Sequence, residues 1–200
     1  MQAARAEAIL CNMLVEHNLP FLLMDHLPGV LSHAFPDSKI AKEVKCARTK
    51  STAVVKHAIA PAVHKTMISM VNLSPAFSLL MDESTNRGVV KREGTLIRYY
   101  DESTLHIVTG FSGLQEVPEA NDSNLFECLD FHLTQAGLTY DKLIGWNSDG
   151  ASVMLGRRNS VVSSMKEKQP NLYVLHCICH LSHLIVSDAV PCIPSCYWSN

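Results

Sequence analysis

The sequence predicts a mixed α/β fold in which one five-stranded sheet with flanking helices follows an all-helical segment. Three observations carry this. Apolar residues recur every three or four positions through the first seventy residues, the spacing of helices with one buried face. The texture changes near residue 73, where short apolar runs bounded by turn residues take over. The order from there reads strand, strand, strand, helix, strand, helix, strand, helix, which is a meander followed by alternating crossover units.

Taken in order, residues 2–17 place Ala3, Ala6, Ile9, Leu10, Met13 and Leu14 at helical spacing, and Pro20 closes the segment. A short helix is expected over 23–33, and the turn "FPDSK" starts another. Arg48 to Asn72 is helical again, with Pro61 expected to kink or split it. "AFSLLMDES" (76–84) reads as a first strand buried on both faces. "GTLIRYYD" and "TLHIVTGFSGL" are rich in β-branched and aromatic residues, and "DES" (101–103) links them as a hairpin. Residues 122–136 form an amphipathic helix capped by Asp122 or Ser123 and stopped at Gly137. "KLIGWNSD" is a fourth strand, "GASVMLG" and "NSVVSSMKEKQ" are helical turns, "LYVLHC" is a fifth strand, and "HLSHLIVSDAV" is a final helix. The predicted division is 1–73 helical, 74–190 sheet-bearing, and 191–200 a tail.

Composition narrows the function classes. With 47% hydrophobic and 18% charged residues, the 200-residue chain can bury a core, which disfavours disorder. A formal net charge of −2 excludes a polybasic protein, though not a local basic face. No apolar run reaches the roughly 18 residues of a membrane span, so no membrane partner is expected. The N-terminus lacks a signal-peptide apolar stretch, which points to an intracellular chain. Of the seven cysteines, the scattered Cys11, Cys46 and Cys128 then read as small buried apolar residues.

Two aspartates follow strands. Asp82 ends the first and Asp149 ends the fourth. If these strands are parallel neighbours, both carboxylates meet at one sheet edge, where ligands bind in open α/β sheets. Two adjacent carboxylates repel unless a divalent cation lies between them, and a hard oxygen site suits Mg²⁺ or Mn²⁺. The plainer alternative also stands: Asp82 ends a strand, and Asp149 caps a helix beginning at Gly150.

"FSLLMDESTNRGVVKREGTLIRYYD", "IGWNSDGASVMLGRRNSVVSSMKEKQPNL" and "LHCICHLSHL" together resemble the core of hAT-type transposases and the host proteins derived from them. "RAEAILCNMLVEHNLPFLLMDHLPGVLSHAFPDSKIAKEVKCARTK" is similar to the helical segment preceding that core, so the resemblance spans roughly residues 5–190. It implies a ribonuclease-H-like fold with catalytic, metal-binding acids at Asp82 and Asp149. It also implies a Cys-x-x-His motif near that site at Cys177 and His180, and two-metal DNA cleavage and strand transfer as the ancestral reaction. The family's third acid lies beyond a helical insertion that also carries subunit contacts, whereas "PCIPSCYWSN" does not resemble the start of that insertion. The expectation is therefore a truncated or domesticated core without the family's oligomerisation region, inactive as an enzyme and needing no cofactor. Any Mg²⁺ or Mn²⁺ binding at Asp82 and Asp149 should be weak. The alternative is a nuclease fragment that cuts only when complemented by the missing acid and insertion. Asp188 and Glu167 are the in-chain substitutes for the third acid, both disfavoured.

Other chemistry-bearing clusters are less specific. Cys177, His180, Cys192 and Cys196 match zinc donors by type but no zinc motif by spacing, so zinc is not expected. His183 shares a helix face with His180, and a partly buried, hydrogen-bonded ring is the plainer expectation for it. Lys39, Lys42, Lys45, Arg48 and Lys50 should wind around one side of a helix, and Arg157 and Arg158 lie near Asp149. These cations can touch phosphates, giving weak, non-specific, salt-sensitive DNA binding. Nothing in the chain reads base sequence or identifies a protein partner, and a nuclear location follows only from the resemblance. Apolar surface around residues 153–162 is expected to be exposed if the sheet lacks covering helices.

Overall fold

The computed structural model describes residues 1–85, 91–117 and 121–192. The chain divides into two compact units, the first ending at Thr66 and the second starting at Met67.

The first unit is helical. It comprises α1 (Gln2–Glu16), a 3₁₀ turn (Phe21–Asp25), α2 (Leu27–Ala34), α3 (Lys39–Glu43), α4 (Arg48–Val54) and a π turn (Val55–Ile59) leading into α5 (Ala60–Leu73). Cys11, Leu14, Met24 and Cys46 form its buried centre. Ile9 was expected on the buried stripe of α1 but is exposed, because the stripe narrows to Glu7, Cys11 and Leu14, one turn apart. The helix ends at Asn18, whose φ of 52° is left-handed, while the Leu19 amide returns to the Leu14 carbonyl. Pro61 does not break the helix. It lacks the N–H that would reach back four residues, and the π turn just before it absorbs the mismatch.

The predicted boundary at residue 73 falls at the far end of α5. The compact units divide inside that helix, and Met67, Ile68, Met70 and Val71 pack with the core of the second.

The second unit holds a five-stranded sheet: β1 (Phe77–Thr85), β2 (Lys91–Asp101), β3 (His106–Glu116), β4 (Leu143–Ser148) and β5 (Tyr173–His176), in the order β3-β2-β1-β4-β5. β1–β2 and β2–β3 are antiparallel, while β1–β4 and β4–β5 are parallel. At the β2–β3 turn, Asp101 accepts from the Ser103 hydroxyl and amide and from the Thr104 hydroxyl, and Leu105 takes a left-handed φ of 58°. These bonds hold the Asp101 carboxyl below its usual range, Ser103 first and Thr104 after it.

The helices of this unit are α6 (Asp122–Gln135), α7 (Ser152–Leu155), α8 (Val161–Lys168) and α9 (Ile178–Ala189). Asn121, rather than Asp122 or Ser123, caps α6, accepting the Asn124 amide at 2.8 Å and leaving Asp122 in the first turn where the helix dipole favours an acid. The connections from β3 to β4 and from β4 to β5 run the same way across the sheet. Right-handed crossovers therefore put both on one face. Leu125, Leu129 and Leu133 of α6, Met154 of α7, and Val161 and Met165 of α8 pack there against Phe77, Leu79, Ile97 and Trp146. Asp130 ties the layer together, accepting from the Tyr140 hydroxyl and from Lys168, each at 2.8 Å.

Two expectations are corrected by this arrangement. The first strand is not buried on both faces: Phe77, Leu79 and Met81 are buried, Ser78 and Leu80 only partly, and Asp82 is exposed, because the crossover helices all lie on the other side. The apolar residues around 153–162 are not exposed, since Met154, Val161 and Val162 fill the gap between helices and sheet. Among the described residues of this unit, exposed apolar side chains stand on the opposite sheet face and on α9.

Candidate functional site at the carboxyl edge of the parallel strands

Register places the two aspartates. Leu80 of β1 pairs with Asn147 of β4, so the same offset carried two residues on brings Asp82 opposite Asp149. Ser148 of β4 pairs with His176 of β5, so Asp149 falls opposite Cys177. The Cys177 amide donates to the Ser148 carbonyl at 2.8 Å, which extends the ladder to that point. Asp82, Asp149 and Cys177 thus lie on one line across three adjacent strands, with Asp149 and Cys177 just past the ends of β4 and β5. Asp82 does not end the first strand as expected, since β1 runs on to Thr85 paired with β2. Parallel pairing is what makes this possible, since it gathers the carboxyl termini at one edge.

The surroundings differ along that line. Asp82 is exposed on the face that no crossover helix covers. Asp149 is half-buried, and its Oδ1 accepts the Ala151 amide at 3.2 Å, a local turn that leads into α7. Below it, the buried Trp146 donates its indole N–H to the Ser148 hydroxyl at 3.1 Å, and that hydroxyl donates to the Asp149 carbonyl at 3.2 Å. Asp149 does not cap a helix beginning at Gly150, since α7 begins at Ser152 with Ala151 at its N-cap and no side-chain cap bond. Its carboxylate supports a turn while standing at the sheet edge.

His176 belongs to this site and was missed at the sequence level. Its ring lies against Gly150, where a Cβ would come within 2.4 Å of the ring. Its Nε2 is buried with no hydrogen-bond partner among the described residues, and its ring centroid lies 6.0 Å from that of His180. The only trace in the sequence is the pairing of a glycine after Asp149 with a histidine before Cys177, which register alone brings together.

His180 is half-buried on the first turn of α9, as the Cys-x-x-His spacing requires. His183 is exposed rather than partly buried, because α9 buries none of its residues. Asp188 sits eleven residues beyond Cys177, roughly 16 Å along the helix axis, and so stands away from the edge. Glu167 is exposed on α8. Cys179 and Cys192 are exposed, Cys177 is half-buried, and Cys196 lies outside the described residues. Among the described residues no three His, Cys, Asp or Glu side chains are gathered to hold one metal ion.

The donor set at the edge fits a hard divalent cation at two positions and not at the third. Asp82 and Asp149 offer carboxylate oxygens, whereas Cys177 offers a soft sulfur that Mg²⁺ and Mn²⁺ disfavour.

The basic positions separate into two groups. Lys39, Lys42, Lys45, Arg48 and Lys50 do not wind along one helix, because α3 stops at Glu43 and Val44 and Cys46 turn inward before α4 begins. Arg48 pairs with Asp25 at 3.3 Å, and Lys50 pairs with the buried Glu7 at 2.6 Å. Lys39, Lys42 and Lys45 have exposed side chains, and the Lys45 amide also donates to Glu7. Arg157 and Arg158 are exposed on the loop between α7 and α8, beside Asn121, Ser152 and Asn159 in a shallow hollow.

A 3-2-1-4-5 mixed sheet with one acid on its first strand and another just past its fourth is the architecture of an RNase-like domain. Residues 34–160 match the family described as the ZMYM1/FAM200, RNase-like domain, and the chain belongs to that family. This type of domain suggests a transposase-derived protein. Asp82 and Asp149 fall inside the matched stretch, while β5, Cys177 and His180 fall beyond it. No helix among the described residues is long and apolar enough to cross a membrane.

Proposed function

We propose that the chain is a hAT transposase-derived protein whose RNase-like core holds nucleic acid without cutting it. The observation that carries this reading is the register line itself. Two-metal phosphodiester cleavage stabilises both the attacking and the leaving oxygen through ions held by several hard ligands. Here the line offers two aspartates and then a cysteine, and Asp149 already serves a turn. One divalent ion can bridge Asp82 and Asp149 weakly. A second has no carboxylate on the line to hold it.

Contact with nucleic acid rests on Arg157 and Arg158, exposed on the loop that follows Asp149, and on Lys39, Lys42 and Lys45 in the helical unit. Arg48 and Lys50 contribute less, since each is engaged with an acid of its own unit. Such contacts touch phosphates and read no sequence. The reading carries a nuclear location with it, because chromosomal DNA is the ligand. Alignment of Asp82 with Asp149 also favours a second reading, in which another polypeptide supplies the third acid and restores cleavage.

Fluorescence anisotropy with a labelled duplex tests the binding. Affinity should fall steeply with salt and be alike for unrelated sequences. Arg157→Ala combined with Arg158→Ala should lower the slope of log K against log salt by about 2. Salt-independent or sequence-selective binding, or no binding at low salt, would contradict the proposal.

A further inference from the structure

Two of the four residues at the buried centre of the helical unit are cysteines: Cys11 of α1, and Cys46, which lies between α3 and α4. Both are fully buried, and their sulfurs stand 3.8 Å apart although 35 positions separate them in the chain. The Cys46 sulfur also lies 3.3 Å from the Ser51 hydroxyl, which donates to the Ala47 carbonyl at 2.9 Å. The fold thus holds two thiols in contact at the point where its smaller core is assembled.

A disulfide brings its sulfurs to ~2.05 Å, so joining these two requires them to close by roughly 2 Å. Cys11 sits within α1 and is fixed there by the helix. Residues 44–47 form no regular element, so the movement falls on Cys46. The other described cysteines are more open: Cys128 and Cys177 are half-buried, and Cys179 and Cys192 are exposed. An exposed thiol meets oxidant first, whereas an oxidised sulfur in the buried pair meets its partner first.

We propose that Cys11 and Cys46 are a redox latch, in which hydrogen peroxide converts the contacting dithiol into a disulfide that ties α1 to the link between α3 and α4. One sulfur attacks a peroxide oxygen and breaks the O–O bond, becoming a sulfenic acid as the other oxygen leaves as water. The second sulfur displaces the sulfenic hydroxyl, which leaves as a second water, and the S–S bond forms. Two thiol hydrogens and two electrons thus pass to one peroxide. Burial pushes the Cys11 thiol up, so thiolate is scarce and the latch closes more slowly than Cys179 and Cys192 oxidise. Peroxide is little larger than water and enters through local opening, short of the unfolding that maleimide needs. Once closed, the bond constrains the unfolded chain over the long loop between the two cysteines, so the latched unit is the more stable form.

Peptide mapping by mass spectrometry tests this on the full chain, treated with hydrogen peroxide and then alkylated in denaturant without reductant. A cross-linked peptide joining Cys11 to Cys46 should appear, lighter by two hydrogens than the two thiol peptides together, and dithiothreitol should remove it. In a Cys179→Ser, Cys192→Ser background the oxidised chain should melt at a higher temperature than the reduced chain. Cys46→Ala should abolish that difference, and Cys11→Ala serves if the first variant misfolds. Cys11 and Cys46 still alkylated as thiols after Cys179 and Cys192 are fully oxidised in the parent chain would overturn the proposal. So would their conversion to sulfinic or sulfonic acids without a cross-link, or cross-links confined to other cysteines.

Discussion

Gly150 and His176 show what a single residue contributes at this sheet edge. A Cβ at position 150 would come within 2.4 Å of the His176 ring, so the ring must move aside in Gly150→Ala. The expected loss is about 1–3 kcal/mol by overpacking. In a His176→Ala background that loss should largely vanish, and a double-mutant cycle from chemical melts measures the difference. Glu7 is the corresponding residue of the helical unit. Burial raises its carboxyl, but the hydrogen bonds from the Lys50 ammonium and the Lys45 amide and the Lys50 charge outweigh it, and the net shift is downward. A lowered folded value means stability that is present above the unfolded carboxyl range, ~4.3, and lost as pH falls through the folded value. Glu7→Gln should flatten that acid-side loss and cost about 1–3 kcal/mol at neutral pH, readable from melts across pH. Thiols divide in the same way. Cys11 and Cys46 are fully buried with sulfurs 3.8 Å apart, and burial pushes the Cys11 thiol up. Maleimide should label the exposed Cys179 and Cys192 within the native state and reach Cys11 and Cys46 only on unfolding.

At the scale of elements, strands and helices were legible because apolar spacing records them directly. The first strand, the 101–103 hairpin link and the helix over 122–136 all appear near where the sequence put them. What could not be read was which faces are covered. "AFSLLM" is apolar at nearly every position, and a continuous run does not say that Leu80 faces open space while Leu79 faces α6. That outcome is set by the hand of two crossovers, a property of topology. The buried side is the load-sharing one, so Leu129→Ala on α6 should lower stability by about 2–5 kcal/mol, while Phe111→Ala on the open face should change it by about 0.5 kcal/mol or less in the isolated chain. Denaturant titration of the two variants measures that contrast. The basic stretch from Lys39 to Lys50 failed as a single helix for a related reason. Val44 and Cys46 are required in the core of the helical unit, and a helix through them would carry both to different sides.

For the whole molecule, the two aspartates were found from sequence because each closes an apolar run, and their meeting depends on one parallel pairing that the sequence implied only through element order. His176 stayed hidden because its significance is a distance to Gly150 across two strands. The family match covers Asp82 and Asp149 and leaves the chemistry open. The core is proposed to hold nucleic acid without cutting it. A nicking assay on supercoiled DNA, with Mg²⁺ or Mn²⁺ titrated into the full chain, tests it most directly. No metal-dependent nicking above that of the Asp82→Ala and Asp149→Ala variants is expected. Nicking that rises with metal and disappears in either variant would contradict it.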